Sequence, residues 1–200
     1  MGERKSRASP KLNKDHSSSR KMSSSSSTTP TAAIVRCPAS TLRRLRHLKD
    51  REVVTLFTPV VPHPPSTTLA KDMDPFEPLG RALPGLVRHV PYRLDIGMTE
   101  THRDHLSSAG AIFVVVCATE NITSRNAGAL EKQARFASDL QNKVQTSSDL
   151  ANVPVVVLLV TNGAARYSHE EALKAFPVLV TCEDYTPRPL QGAVHRIFGK

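Results

Sequence analysis

The residues able to do chemistry are few, and they gather where apolar runs give way to polar ones. Thr58-Pro59 closes one run, Thr119-Glu120-Asn121 a second, Asn162-Gly163-Ala164-Ala165-Arg166 a third and Glu183-Asp184-Tyr185 a fourth. Glu120 with Glu183 or Asp184 could supply the paired carboxylates of general acid and base chemistry, if the fold brings them together. Carboxylates that follow strands equally suit a solvated surface. Asn162-Gly163 is a turn signal before it is a ligand site. Glu120, Asn121, Asn162, Gly163 and Arg166 are the ligand-binding candidates, and no residue is assigned a catalytic role.

Other chemistries lack their residue patterns. Cys37, Cys117 and Cys182 are odd in number, form no C-x-x-C pair, and two of them lie in apolar runs. They read as buried free thiols of a reducing compartment, with no zinc site and no disulfide framework. His102 and His105 are spaced i, i+3 without a third ligand in register, so they read as a partly exposed polar face rather than a metal site. No G-x-G-x-x-G follows the first strand, and no G-x-x-x-x-G-K-[ST] or G-x-S-x-G occurs. The expectation is therefore no metal and no cofactor.

The elements that must position the candidates are clearer. Val153 to Val160 and Ala111 to Ala118 are apolar without alternation and rich in β-branched residues. Continuous burial of that kind belongs to central strands of a parallel sheet covered on both faces. Between them, Leu130, Ala134, Ala137, Leu140 and Val144 recur at helical spacing and predict the inner stripe of a helix over 127–144. Strand, helix, strand is a βαβ unit. Ala32 to Arg36 predicts an edge strand, Glu52 to Thr58 a buried strand followed by a proline-rich loop, Leu86 to Tyr92 a strand near an edge, and Val178 to Cys182 another. Asp74-Pro75 predicts the start of a helix to Leu83, Thr99 caps a helix from Glu100 to about Ala109, and Ser168 and Pro187 open two more. The expected fold class is α/β, a doubly wound, mostly parallel sheet of about five strands with helices on both faces. Ligands in such sheets lie beyond the carboxyl ends of the strands, where all five candidates sit.

The charge is unevenly placed. Of 27 basic and 18 acidic residues, residues 1–50 hold 12 basic and three acidic, which leaves 15 of each sign in 51–200. Residues 1–30 are Ser-rich and nearly devoid of apolar side chains, and are expected to be a disordered basic tail before a domain at 31–200. The composition loosely resembles an organellar transit peptide, but the stretch lacks the apolar core of a secretory signal, and the expected location is cytoplasmic. Nucleic acid is an unlikely partner, since a basic tail on a neutral domain has no aromatic side chains for stacking on bases. No apolar stretch reaches the roughly 18 residues of a membrane span.

The order of segments resembles the C-terminal α/β domain of family 3 glycoside hydrolases, most closely the β-N-acetylhexosaminidase branch. The likeness is carried by Ala33-Ile34-Val35-Arg36, by Val53 to Thr58 with Pro59-Val60-Val61-Pro62, and by Asp74-Pro75-Phe76-Glu77-Pro78-Leu79-Gly80-Arg81-Ala82-Leu83. It continues through Thr99-Glu100-Thr101-His102, Asn152-Val153-Pro154-Val155-Val156-Val157-Leu158 and Cys182-Glu183-Asp184-Tyr185-Thr186-Pro187, and covers roughly residues 31–200. The resemblance implies a carbohydrate-cleaving context and, as partners, a TIM-barrel catalytic domain or an amino-sugar ligand. In the family the nucleophilic Asp and, in this branch, a His–Asp acid/base pair lie on the barrel, the latter introduced by a Lys-His-Phe-Pro-Gly type sequence. Neither motif occurs here, so the two groups that a retaining glycosidase sets about the scissile bond are missing. Where the family often shows a Pro-Tyr-Asp turn, this chain reads Gly163-Ala164-Ala165-Arg166-Tyr167-Ser168. The implied role is an accessory domain, non-catalytic alone. The alternatives are a binding module for an amino sugar or nucleotide, and a binder of nucleic acid or a membrane surface through the tail.

Overall fold

The computed structural model describes residues 31–65 and 67–199, so the expected disordered tail lies outside the described residues. Six strands form one sheet in the order β1-β6-β5-β4-β2-β3. They are β1 (Ala32–Arg36), β2 (Val53–Pro59), β3 (Leu86–Tyr92), β4 (Ala109–Cys117), β5 (Val155–Val160) and β6 (Leu179–Cys182). The five strands from β2 to β6 run parallel, and β1 pairs antiparallel with β6 at one edge. The parallel strands follow the 2-1-3-4-5 order of flavodoxin-like folds.

The uninterrupted apolar runs have a plain cause. Val114, Val115 and Val116 are all fully buried, yet alternate residues fall into different cores. Val115 and Cys117 pack on one face of the sheet, Val114 and Val116 on the other. The first face is covered by α1 (Ala39–Arg46), α2 (Glu77–Ala82) and α7 (Pro187–Phe198) through Leu45, Leu79 and Leu190. The second is covered by α5 (Ala129–Thr146) through Phe136 and Leu140, and by Leu106 and Leu173, which follow α3 (Glu100–Asp104) and α6 (Arg166–Ala172). A single turn, α4 (Glu120–Thr123), leaves the end of β4.

One glycine is fixed by a close approach. β2 and β4 lose register between Val53 and Val54, and a Cβ on Gly110 would lie 2.6 Å from the Cβ of Glu52. Only glycine lets the two backbones meet at this irregularity.

The inner stripe of α5 is rotated from the expected one. Leu130 and Ala134 are half-buried, whereas Gln133 and Phe136 are buried. The reason lies at the carboxyl end of β4. β2 accompanies β4 only as far as Phe57 opposite Val114, then diverges toward β3, while β5 stays paired up to Cys117. The amides of Ile112 and Ala118 donate toward the β5 side, so by strand alternation Val115 and Cys117 turn their peptide groups toward the vacated β2 side. Two side chains replace the missing strand. The Tyr92 hydroxyl donates to the Val115 carbonyl at 2.7 Å. Gln133 accepts the Cys117 amide at 2.7 Å through Oε1 and donates to the Cys117 carbonyl at 2.8 Å through Nε2. A buried glutamine on the inner face is thus the ladder's continuation.

His102 likewise departs from the expected partly exposed face: it is 7% exposed. α3 is shorter than expected, ending at Asp104, and His102 is its third residue. The Thr99 amide donates to its Nδ1 at 2.9 Å, which places the ring proton on Nε2, 3.3 Å from the Pro91 carbonyl. This is a capping box with histidine in the place of the usual acid. Cys117 and Cys182 are buried and Cys37 half-buried; burial pushes the Cys117 thiol up to about 12 and raises the other two. Such thiols stay protonated and are poor nucleophiles. Among the described residues, no helix is long and apolar enough to cross a membrane.

Candidate functional site

A cavity of about 510 Å³ opens at the carboxyl edge of the sheet. Its walls include Thr119, Glu120 and Asn121 after β4, Asn162 after β5, and Asp184 and Tyr185 after β6. Pro64 and Pro65, from the loop that follows β2, form the remaining side. The site lies beside the place where β2 and β4 part, because only there do successive crossovers leave in opposite directions and open a crevice.

A chain of hydrogen bonds holds these walls together. The Thr119 hydroxyl donates to Asn121 Oδ1 at 2.7 Å, and Asn121 Nδ2 donates to the Tyr185 hydroxyl at 2.8 Å. Tyr185 then donates to the Pro62 carbonyl at 2.9 Å. The chain runs from β4 through the β6 loop to the proline loop, with the Tyr185 ring stacked on Phe76 at 5.5 Å. Asn162 Oδ1 accepts the Glu120 amide at 3.1 Å and so ties the end of β5 to the start of α4. Asp184 Oδ1 accepts the Thr186 amide at 2.6 Å as well as the Thr186 hydroxyl, which shapes the turn into α7.

Of the five candidates, Glu120, Asn121 and Asn162 line the cavity. Gly163 and Arg166 belong to the neighbouring turn and helix. Gly163 supplies a left-handed φ of +71° at an exposed turn with nothing near its Cα hydrogens. Arg166 is engaged by Glu170 at 2.7 Å and by the Thr181 hydroxyl at 3.0 Å, along α6 and β6. Asp184 shares the cavity with Glu120, while Glu183 is exposed outside it. Sequence reasoning placed Tyr185 at a strand end but did not find its role as the clasp on the proline loop. Its signal was an aromatic residue with a polar tip directly after a buried strand.

The arrangement offers hydrogen-bonding groups together with the carboxylates of Glu120 and Asp184. Burial pushes the Tyr185 phenol up to about 12 against the bond donated by Asn121, so it stays protonated near neutrality and cannot serve as a base. The lining contains two carboxylates and no Lys, Arg or His, which suits hydroxyl and amide groups rather than phosphate. Among the described residues no group of three or more His, Cys, Asp or Glu side chains could hold a metal ion. Tyr185→Phe is expected to cost ~1–3 kcal/mol, since it strips a donor from Pro62 and an acceptor from Asn121. Urea denaturation measures the loss, and amide exchange should quicken selectively at Val60, Val61 and His63, the residues of this loop segment that carry an amide proton. Unchanged exchange there would mean that Tyr185 does not hold the loop.

Fold and site together define a doubly wound α/β domain with a polar cavity at the carboxyl edge of its sheet. No family model matches the chain, and no curated protein matches its sequence. Solved structures do share the fold. One is a β-N-acetylglucosaminidase of glycoside hydrolase family 3 from Paenibacillus sp. str. FPU-7, with a TM-score of 0.52, 13% identity and coverage of 84% of this chain and 28% of that one. A β-glucosidase from Listeria innocua, in complex with isofagomine, gives a TM-score of 0.52, 16% identity and coverage of 84% and 24%. A fungal multi-domain GH3 β-N-acetylglucosaminidase, described as having a GCN5-related glucosamine N-acetyltransferase region, gives 0.51, 15%, 84% and 16%. The likeness is one of fold, and this chain spans between 16% and 28% of the length of these structures.

Proposed function

We propose that residues 31–199 act as an accessory domain of a carbohydrate-cleaving enzyme, non-catalytic alone, whose carboxyl-edge rim borders a sugar site completed by a separate TIM-barrel catalytic domain. The observation that carries this reading is the fold likeness over 84% of this chain to enzymes of which it matches at most 28%. The cavity supports it, because its walls offer hydrogen-bonding groups suited to the hydroxyls and amide of an amino sugar. Assay of the full chain on a chromogenic N-acetylglucosaminide is expected to give no turnover above buffer. Turnover that disappears in Glu120→Gln or Asp184→Asn would refute the reading.

A second reading, a stand-alone binding module, is favoured by the cavity's volume, which falls in the range of small-molecule sites. Titration of the full chain with N-acetylglucosamine, followed by amide shifts, separates the two. Shifts confined to Glu120, Asn121, Asn162 and Asp184 in the absence of any partner favour the binding module. The lack of a lining cation argues against a nucleotide as its ligand.

A further inference from the structure

The two asparagines of the cavity wall are held in opposite ways. Asn121 is clamped at both ends of its amide: Oδ1 accepts the Thr119 hydroxyl and Nδ2 donates to Tyr185. The amide that follows it, on Ile122, is engaged as well, donating to the Thr119 carbonyl at 2.9 Å. Asn162 is exposed and is fastened at one atom, where Oδ1 accepts the Glu120 amide at 3.1 Å. Among the described residues its Nδ2 meets no acceptor, and neither does the backbone amide of Gly163.

The turn is open around that amide. The end of β5 is pinned by the Thr161 amide, which donates to the Cys182 carbonyl at 2.9 Å, and α6 begins only at Arg166. Between them Gly163 has a φ of +71°, and apart from its chain neighbours no heavy atom lies within 4 Å of where a Cβ would stand. An asparagine followed by glycine can be attacked at Cγ by the glycine's own backbone nitrogen, because no Cβ obstructs ring closure. The Glu120 amide favours the same step. A donor on Oδ1 draws electrons from Cγ and lies where charge collects as a nucleophile adds there. No other asparagine among the described residues combines these features. Asn126, Asn142 and Asn152 precede Ala127, Lys143 and Val153, each with a Cβ. Asn142 lies inside α5, and the Val153 amide is bonded to the Leu150 carbonyl at 2.9 Å.

We propose that Asn162 is a modification site, at which the folded protein loses ammonia through a cyclic imide and gains a carboxylate in the cavity wall. Solvent hydroxide takes the Gly163 amide proton and the nitrogen bonds to Cγ. The Cγ–Nδ2 bond then breaks, and Nδ2 leaves as ammonia with a proton from water. Water next opens the imide. Cleavage of the new N–Cγ bond leaves aspartate, whereas cleavage of the original peptide bond leaves isoaspartate, whose main chain runs through Cγ. Nothing is oxidised or reduced. Either product exchanges the Nδ2 donor for a negative charge beside Glu120 and Asp184, in a lining that holds no Lys, Arg or His. The rim then disfavours acidic ligands more strongly than before. The step needs no sugar and no catalytic partner.

The test holds the folded full chain in mildly alkaline buffer and follows peptide masses and amide spectra with time. The peptide bearing Asn162 should gain the mass of an amide-to-acid exchange and separate into products of equal mass, while those bearing Asn121, Asn126, Asn142 and Asn152 stay unchanged. The Glu120 amide should shift as that mass appears, with Val157 to Leu159 unmoved. Asn162→Gln keeps an amide but carries its carbonyl beyond the reach of that ring, and should lose the mass gain entirely. Gly163→Ala should slow the conversion to the level of Asn126-Ala127. A constant mass at Asn162, conversion of another asparagine ahead of it, or conversion only after unfolding in urea overturns the proposal. An unchanged rate in Gly163→Ala, or a mass gain that persists in Asn162→Gln, overturns it too.

Discussion

Replacing Gln133 with Leu is expected to destabilise the protein by ~2–5 kcal/mol, although the side chain keeps its size. The residue is fully buried and its amide closes both peptide groups of Cys117 on the side that β2 has left. Leucine fills the space but strands one buried N–H and one buried C=O, each at ~1–3 kcal/mol. The third bond, from Nε2 to the Ala129 carbonyl at 3.0 Å, is lost as well. Urea denaturation should report the loss, and exchange of the Cys117 amide should accelerate more than that of Val157. A loss under ~1 kcal/mol would mean that water reaches the strand end and substitutes for the side chain.

Gln133→Glu provides the pH arm of this test. An ionised carboxylate can accept from the Cys117 amide but cannot donate to its carbonyl, and it carries a charge into the core. The folded state would hold this acid protonated, with its pKa above the unfolded value of about 4.3. A raised folded pKa means that the folded chain binds the extra proton, so the deficit against wild type should narrow as pH falls toward 4.3 and widen above it. A deficit independent of pH would show that the introduced carboxyl group escapes to solvent.

Phe136→Ala is expected to cost ~3–5 kcal/mol. Phe136 is 1% exposed and lies flat on Tyr92, with ring centroids 3.8 Å apart and planes 5° from parallel. Its ring also meets Phe57 at 5.8 Å and the edge of His102 at 5.2 Å. Truncation therefore opens a cavity at the junction of α5, the edge strand β3 and the α3 cap. It also frees Tyr92, whose hydroxyl serves the Val115 carbonyl, so part of the cost appears at the same strand end that Gln133 protects. The two substitutions should for that reason be non-additive, with a coupling of ~0.5–3 kcal/mol in a double-mutant cycle. Thermal or urea unfolding checks the single variant, and a loss below ~1.5 kcal/mol would show that the pocket collapses around the missing ring.

Much of the architecture was legible from residue types. The unalternated runs around Val115 and Val157 required two covered faces, and the structure delivers the alternate residues to two cores. Ala32 to Arg36 reads as an edge strand and Leu86 to Tyr92 as a strand near an edge, and they stand at the two edges of the sheet. The stripe on α5 was less accurate, because a hydrophobicity pattern assigns polar residues outward. Gln133 points inward to satisfy a peptide group on a different element, a need that no local spacing expresses. His102 was misplaced for the same reason: its polar nitrogens serve Thr99 and Pro91, and its ring is packed among Phe57 and Phe136.

The sequence by itself determined the class of fold, the strand ends as the place to look, and the absence of any recognised catalytic motif. Those conclusions rest on local properties, namely burial periodicity, turn residues and missing residue patterns. Only the tertiary structure decided that Glu120, Asn121, Asn162, Asp184 and Tyr185 share one cavity, and that Gly163 and Arg166 face elsewhere. Strand order and direction bring together residues more than 60 positions apart, and that pairing is chosen by the whole core rather than by any segment alone.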